Sequence, residues 1–355
     1  MPGLNGSAIS SKACLKNGPD ERPVISMPST PHTKTEATDV SVVVPCYNHG
    51  RYVAQTLRSI FRQTLPPTRL LVIDDGSTDD SARVIEKALA DCPFESEFIS
   101  RPNKGLSATL NEGFARTTGE YFAYIGSDDL WLPGFLEARV RLLGSRPEAV
   151  LAHGNVYSID AASRIIESSA DYENTYTGDD ARSLLDRSLG PVSSTVCYRR
   201  SALQRHSWNE ASRLEDLELY LYLSYEGTFA FDPAVHSAWR MHELNTSRDS
   251  EWMLAEALAA QRRVAASLGL SETFLRKVEA KTKLEYAILF ARHGARMKAA
   301  ELLFKNWWMA PGMEKPLKVL GHCLLPPSIK KKRGKQADPT GRERFEAENR
   351  LISEI

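Results

Sequence analysis

Cysteine is scarce in this chain: five in 355 residues, at Cys14, Cys46, Cys92, Cys197 and Cys323. They are odd in number, scattered, and form no CxxC pair. That argues against a disulfide framework or a zinc–thiolate site and points to a reducing, cytoplasmic setting. Long apolar runs are missing too. None reaches the roughly 18 residues of a spanning helix, and the first residues lack the apolar core of a signal peptide. There is no net charge either, since 45 Lys and Arg face 45 Asp and Glu. The balance disfavours nucleic acid or another polyanion as a partner of the whole molecule and leaves basic function to local segments. No GxGxxG follows the first strand, and no GxxxxGK with Ser or Thr occurs anywhere. Dinucleotide and P-loop sites are therefore disfavoured.

Apolar residues make up 42% and charged residues 25%, which suits a sizeable globular core. Residues 1–38 are rich in Ser, Thr, Pro, Lys and Gly and read as a disordered leader. Order begins at "VSVVVP", a β-branched run too short for a typical helix and suited to a strand buried on both faces. "GRYVAQTLRSIFRQ" follows, with Val53, Leu57, Ile60 and Phe61 on one helical face. "RLLVIDD", "FESEFIS" and "EYFAYIG" read as further strands. "STDDSARVIEKALADC" and "GLSATLNEGFARTTG" read as the helices between them. This alternation predicts an α/β fold on a parallel sheet.

Later segments are mixed. "AVLAHGNVYSID" reads as a pair of strands, "DDARSLLDRSL" as a helix and "SSTVCYRRSAL" as a strand entering a helix. "LEDLELYLYLSYEG" reads as an amphipathic helix with acids in its first turn. Residues 250–309 are helical in pattern. The sequon at Asn245 reads as chance in a cytoplasmic chain.

Polar residues collect at the strand ends. Tyr47-Asn48, Asp74-Asp75 and Asp128-Asp129 each follow the carboxyl end of a strand, the edge at which open α/β sheets bind ligands. A carboxylate after the second strand suits a base or ribose. Carboxylates after the fourth suit a hard cation that takes its other ligands from phosphate and water. The edge reads as a nucleotide-diphosphate site. The bland readings are an Asx turn at Asp74-Asp75, helix capping by Asp128-Asp129 before "LWLPGFLEARV", and first-turn acids at Glu215-Asp216.

"VSVVVPCYNHGRYVAQTLRSIFRQT", "LLVIDDGSTDDS", "NKGLSATLNEGF" and "GEYFAYIGSDDLWLP" resemble the successive motifs of the family 2 glycosyltransferases. The similarity runs over about residues 39–245. It implies the GT-A fold, with a transferase domain over 39–247, a helical extension over 248–310 and a basic tail over 311–355. Pro45, Tyr47 and Asn48 would border the nucleotide pocket, together with Gly105, Ser127 and Asp128. Asp75, beside Asp74, would bind base or ribose. Asp128 and Asp129 match the acidic metal motif, with Asp129 ahead as the direct ligand of Mn2+ or Mg2+ and His242 near the metal or diphosphate. Many members carry a further acid where this chain has Gly126. Glu215-Asp216 resembles the family's ED motif, with Asp216 ahead of Glu215 as catalytic base.

The activity implied is inverting transfer from a nucleotide sugar to a sugar or lipid-linked glycan acceptor, as in polysaccharide biosynthesis. A sugar-nucleotide nucleotidyltransferase is one alternative, and a non-catalytic sugar-nucleotide binder or scaffold is another. The run Lys330–Lys335, placed after Trp307 and Trp308, implies weak contact with the inner membrane surface.

Overall fold

The computed structural model describes residues 39–171 and 190–321, apart from 213, 244, 246–248, 293, 310–316, 318 and 319. The expected helix over "DDARSLLDRSL" and the basic run at Lys330 lie outside the described residues.

The first half alternates as the sequence implies. β1 (Val40–Cys46), α1 (Val53–Phe61), β2 (Arg69–Asp74), α2 (Ser81–Leu89), β3 (Ser96–Ser100), α3 (Leu106–Arg116) and β4 (Tyr121–Tyr124) follow one another. β1 lies between β2 and β4, all parallel, and β3 extends the sheet beyond β2. Both faces are buried, so side chains alternate between two cores rather than between core and water. Val43, Leu71, Ile73, Phe122 and Tyr124 point into one core. Val40, Val42, Val44, Leu70, Val72 and Ala123 point into the other, under the buried Val53, Leu57 and Ile60 of α1.

The second half departs from a parallel sheet. It contains β5 (Leu130–Trp131), α4 (Phe135–Ser145), β6 (Ala149–Ile159), β7 (Ile165–Ser168), β8 (Cys197–Arg199), α5 (Arg200–Leu203), α6 (Glu215–Glu226) and β9 (Thr228–Arg240). Among the described residues one mixed sheet of nine strands results, in the order β3-β2-β1-β4-β8-β6-β9-β5, with β7 on β6. β8 runs antiparallel to both β4 and β6.

"AVLAHGNVYSID" is one long strand, not two. Gly154-Asn155 has the composition of a turn, but here the register against β9 slips by a bulge. The Asn155 side-chain amide donates to the Pro233 carbonyl at 2.7 Å, which anchors the irregularity to β9.

Three helices follow: α7 (Ser250–Ser267), α8 (Glu272–Arg292) and α9 (Arg296–Asn306). α7 opens on Asp249, whose side chain accepts from the Trp252 amide. Its Ala257 and Val264 join the same core as Leu217 and Leu221 of α6. Arg263 of α7 also pairs with the buried Glu218 of α6 at 2.6 Å. Leu254, Leu284, Phe290, Ala299 and Leu303 form a further cluster that joins the three helices. Among the described residues no helix is long and apolar enough to cross a membrane.

Candidate active site

The loop from β1 to α1 is held by the loop from β2 to α2. Asn48 adopts a positive φ of 56°, a conformation Asn tolerates better than most residues. Its side-chain oxygen accepts from the Thr78 amide at 2.7 Å, and its own amide donates to Ser77 Oγ at 2.8 Å. The His49 amide donates to Ser81 Oγ at 3.0 Å. Asn48 thus builds the site's wall, while Tyr47 beside it is 49% exposed, its ring free to face a ligand.

Pro45 fits the end of β1 for a simple reason. Residues 43 and 45 face the β4 side, and Val43 accepts from the Ile125 amide there. The β1–β4 ladder stops at Val43 and Tyr124, so no strand misses the N–H that Pro45 lacks.

Asp74 and Asp75 are both buried. Asp74 accepts from Ser100 Oγ at 3.0 Å and from the Ser77 amide, three residues on, at 3.4 Å. Asp75 has stronger partners. It accepts from the amides of Lys104 and Gly105 at 2.8 and 2.9 Å and is paired with Arg101. Arg101 also donates to Glu112 and to Thr109 Oγ1, both at 2.8 Å. Gly76, at φ +74°, lets this loop approach the next, since a Cβ there would lie 2.6 Å from the Asn103 nitrogen.

The two aspartates after β4 do not cap the helix that follows. α4 begins at Phe135 with Gly134 at its N-cap, well beyond them. They face different partners. Asp129 is buried, and its Oδ1 accepts from the Arg240 amide at 2.8 Å. Burial and the neighbouring Asp128 charge push its carboxyl well above the usual range. Asp128 turns towards two imidazoles. Its Oδ2 lies 2.8 Å from His242 Nε2, and its Oδ1 lies 3.7 Å from His49 Nδ1. Burial works to raise the Asp128 carboxyl, but the His242 hydrogen bond and both imidazoles outweigh it and hold it low. Burial lowers His49 and so favours its neutral, ligating form. His49 Nδ1 also lies 2.8 Å from Ser127 Oγ.

His49, Asp128 and His242 each offer one ligand atom, all within 4.8 Å of one another. Two imidazoles and one carboxylate on a shared edge fit a divalent cation. Sequence reasoning anticipated Asp128 and His242. It passed over His49, whose only signal was its place directly after Tyr47-Asn48.

Arg240, also passed over, holds this corner together. Its Nε donates to the Asp128 carbonyl at 2.7 Å, and its Nη2 donates to Gln55 Oε1 at 2.8 Å. The guanidinium lies 4.9 Å from the Tyr52 ring, and that ring lies 5.0 Å from His242. Asn245 Nδ2 donates to the Arg240 carbonyl at 3.0 Å, so the sequon amide is engaged within the fold.

Glu215 and Asp216 open α6. They keep some exposure at the surface, although protein surrounds their carboxyls on most sides. Burial lifts Asp216 to about 6, and burial with the Asp216 charge lifts Glu215 to about 8. The floor beneath is aromatic: Tyr124 stacks on Tyr198, which stacks on Tyr220. Tyr124 ends β4, so this carboxylate pair stands beside the strand that leads into Asp128.

Residues 41–207 match the model of the glycosyl transferase family 2. The chain carries a family 2 glycosyltransferase domain. It is 29% identical over 169 residues to an uncharacterized glycosyltransferase of Nostoc, covering 47% of this chain and 52% of that protein. Chondroitin synthase of Escherichia coli is 25% identical over 215 residues, 59% of this chain and 30% of that one. The chain thus spans about half or less of the length of these curated relatives. Among solved structures, S. aureus TarS 1-349 in complex with UDP-GlcNAc aligns with a TM-score of 0.57 at 17% identity, covering 85% of this chain and 94% of that one. The mannosyltransferase PcManGT of Pyrobaculum calidifontis, in complex with GDP-Man and Mn2+, aligns at 0.54 and 16%, covering 88% and 85%. These likenesses show that the glycosyltransferase domain has the GT-A fold.

Proposed function

We propose that this chain moves a sugar from a nucleoside-diphosphate donor to an acceptor hydroxyl, with inversion at the anomeric carbon, in building a surface polysaccharide or similar glycan. One observation carries the reading: a cation-fitting triad and a raised-pKa carboxylate pair flank the carboxyl end of β4. UDP-GlcNAc in one protein of this fold and GDP-Man with Mn2+ in another support the donor class and the cation. The likeness to chondroitin synthase supports a polysaccharide product.

Asp75, fixed by Arg101 and two amides, keeps one acceptor site, on Oδ2, for a base or ribose, and Asp74 steadies the turn beside it. Pro45, Tyr47, Asn48, Gly105 and Ser127 border the same pocket. A bound divalent cation would neutralise the diphosphate and stabilise it as the leaving group. Asp128 and His242 would hold that cation, with Asp129 buttressing the loop from behind. Asp216 takes the acceptor's proton as its oxygen attacks, and Glu215, largely protonated at neutral pH, lies beside it. We take 39–247 as the transferase domain, 248–310 as its extension and 311–355 as a basic tail, with the reaction on the cytoplasmic side. The acceptor is a sugar or lipid-linked glycan brought to an anionic membrane surface.

Release of nucleoside diphosphate from UDP-, GDP- and dTDP-sugars, with acceptor present, tests this. One donor should turn over, Asp128→Ala should lose donor binding, and Asp216→Asn should keep it while losing turnover. Nucleotide bound without any product would favour a non-catalytic binder. Pyrophosphate release from sugar phosphate and nucleoside triphosphate would favour a nucleotidyltransferase.

A further inference from the structure

The acidic pattern after β4 lacks its first member, and Gly126 stands in its place. A Cβ on Gly126 would lie 2.9 Å from Asp128 Oδ1 and 3.6 Å from Asp129 Oδ2. Asp129, the other acid of the pair, is turned inward and hydrogen-bonded to the Arg240 amide. Asp128, not Asp129, is the carboxylate that groups with the imidazoles. One carboxylate and one imidazole would make a sparse protein contribution to a metal centre.

The structure assigns the missing ligand to a different strand: we propose that His49, from the loop after β1, binds the metal directly. With Asp128 and His242 it would complete a two-imidazole, one-carboxylate centre. The inference rests on the transferase reading only for what the metal does, not for its existence.

Four observations support it. His49 Nδ1 already lies 3.7 Å from Asp128 Oδ1, and the three ligand atoms fall within 4.8 Å. The two imidazole rings are 5.5 Å apart and nearly perpendicular, so both can turn a nitrogen towards one point. The backbone of His49 is fixed by its bond to Ser81, and the next amide, from Gly50, donates to Asp79 at 3.0 Å. The ring is therefore delivered by a stapled loop. Finally, the side chains are 20%, 13% and 5% exposed for His49, Asp128 and His242, which leaves the open side for phosphate and water.

A consequence follows for metal choice. Mg2+ strongly prefers oxygen ligands in near-ideal octahedral geometry, whereas the first-row divalent ions accept imidazole, Mn2+ least tightly among them. A centre with two imidazoles should bind Mn2+ in preference to Mg2+, and His49 should supply part of that preference.

The test uses the full chain loaded with Mn2+, first alone and then with UDP. Electron spin-echo modulation from nitrogen counts the coordinated imidazoles. Wild type should show two and His49→Ala one. Calorimetry should find Mn2+ bound at least about tenfold more weakly by His49→Ala, since even outer-shell partners change metal affinity by about 10–100-fold. Mg2+ affinity should change less. One nitrogen in wild type, an unchanged Mn2+ affinity in a folded His49→Ala, or no Mn2+ binding in either condition overturns the proposal. The wild-type spectrum decides the matter even if the variant does not fold. Two nitrogens without turnover of any nucleotide sugar would sink the transferase reading and leave the centre standing. Turnover with a single bound imidazole would do the reverse.

Discussion

At the scale of single residues, protonation separates Asp216 from Glu215. Burial lifts Asp216 to about 6 and, with the Asp216 charge, Glu215 to about 8. At pH 7.5 the pair therefore holds about one proton, and its ionised member, with Asp216 the more acidic, can accept another. A base works best with a pKa near the operating pH, and the raised value brings Asp216 close to it. The acidic limb of kcat/KM should therefore fall below about pH 6. Asp216→Asn should lower kcat by about 10²- to 10⁴-fold, the usual share of a general base, while nucleotide affinity holds. A kcat unchanged in Asp216→Asn would remove it from the role. The same shifts bear on stability. A carboxyl raised in the fold is favoured there in its neutral form, so its contribution is fully present below the unfolded value, near 4. It is lost as pH rises through the folded values, about 6 and 8. Glu215→Gln keeps the neutral form at every pH. Its Tm relative to wild type should rise between pH 5 and pH 8, by on the order of 5 °C. A difference that stays flat with pH would mean that Glu215 is not buried as a neutral acid.

At the scale of elements, the donor edge depends on Arg101, which ties the end of β2 to the start of α3 through Asp75, Thr109 and Glu112. Its side chain is only 10% exposed and that of Asp75 only 6%. Removing one partner of such a pair strands the other charge, at about 3–5 kcal/mol. Arg101→Met should lower the urea midpoint accordingly, and Asp75→Asn, which sets an NH2 against a backbone amide, should cost less in that background than in wild type. Additive losses in the double variant would show that the two do not act as a pair. Nothing in the sequence marked Arg101, because its partners are 26, 11 and 8 residues away and only the fold joins them. The legible elements were those with local signals. β1 announced itself by a β-branched run, β2 and β4 by short aliphatic or aromatic runs, and α1 by one apolar face. β9 was missed because "TFAFDPAVHSAWR" carries a proline and an irregular pattern; it is a strand because β6 lies alongside it over most of its length. In the same way Asp75 and Asp128 could be read from motif position. His49 and Arg240 could not, since what they do depends on a residue 79 or 112 positions further along or back.

At the scale of the whole molecule, the exposed apolar side chains of α9 fall within the most basic stretch of the sequence. α9 buries Ala299, Leu303 and Asn306, while Met297, Phe304 and Trp308 stand 89%, 68% and 63% exposed. Met297 and Phe304 are seven residues apart, close to one face of the helix, and the half-exposed Trp307 and the exposed Trp308 follow in the 3-10 turn beyond it. Lys298 and Lys305 lie along one side of this face, paired with Glu251 at 3.7 Å and Glu301 at 2.8 Å. The sequence from Arg296 to Lys335 holds ten basic residues against two acidic ones, although the chain as a whole is neutral. An aromatic face bordered by lysines matches a helix lying in the boundary of an anionic bilayer, where each nearby Lys or Arg contributes about 1 kcal/mol. The full chain should co-sediment with vesicles containing phosphatidylglycerol and not with phosphatidylcholine alone. Binding should weaken between 0.05 and about 0.5 M salt as the Debye length shortens. Phe304→Ser with Trp308→Ser should reduce it by more than about tenfold, with the thermal unfolding of wild type retained because both side chains face outward. Equal binding to neutral and anionic vesicles would remove the electrostatic part of the argument. Vesicle binding untouched by the double substitution would move contact to the basic run alone. A wild type that pairs into dimers through this face, and ignores vesicles, would assign the aromatic stripe to a second copy of the chain.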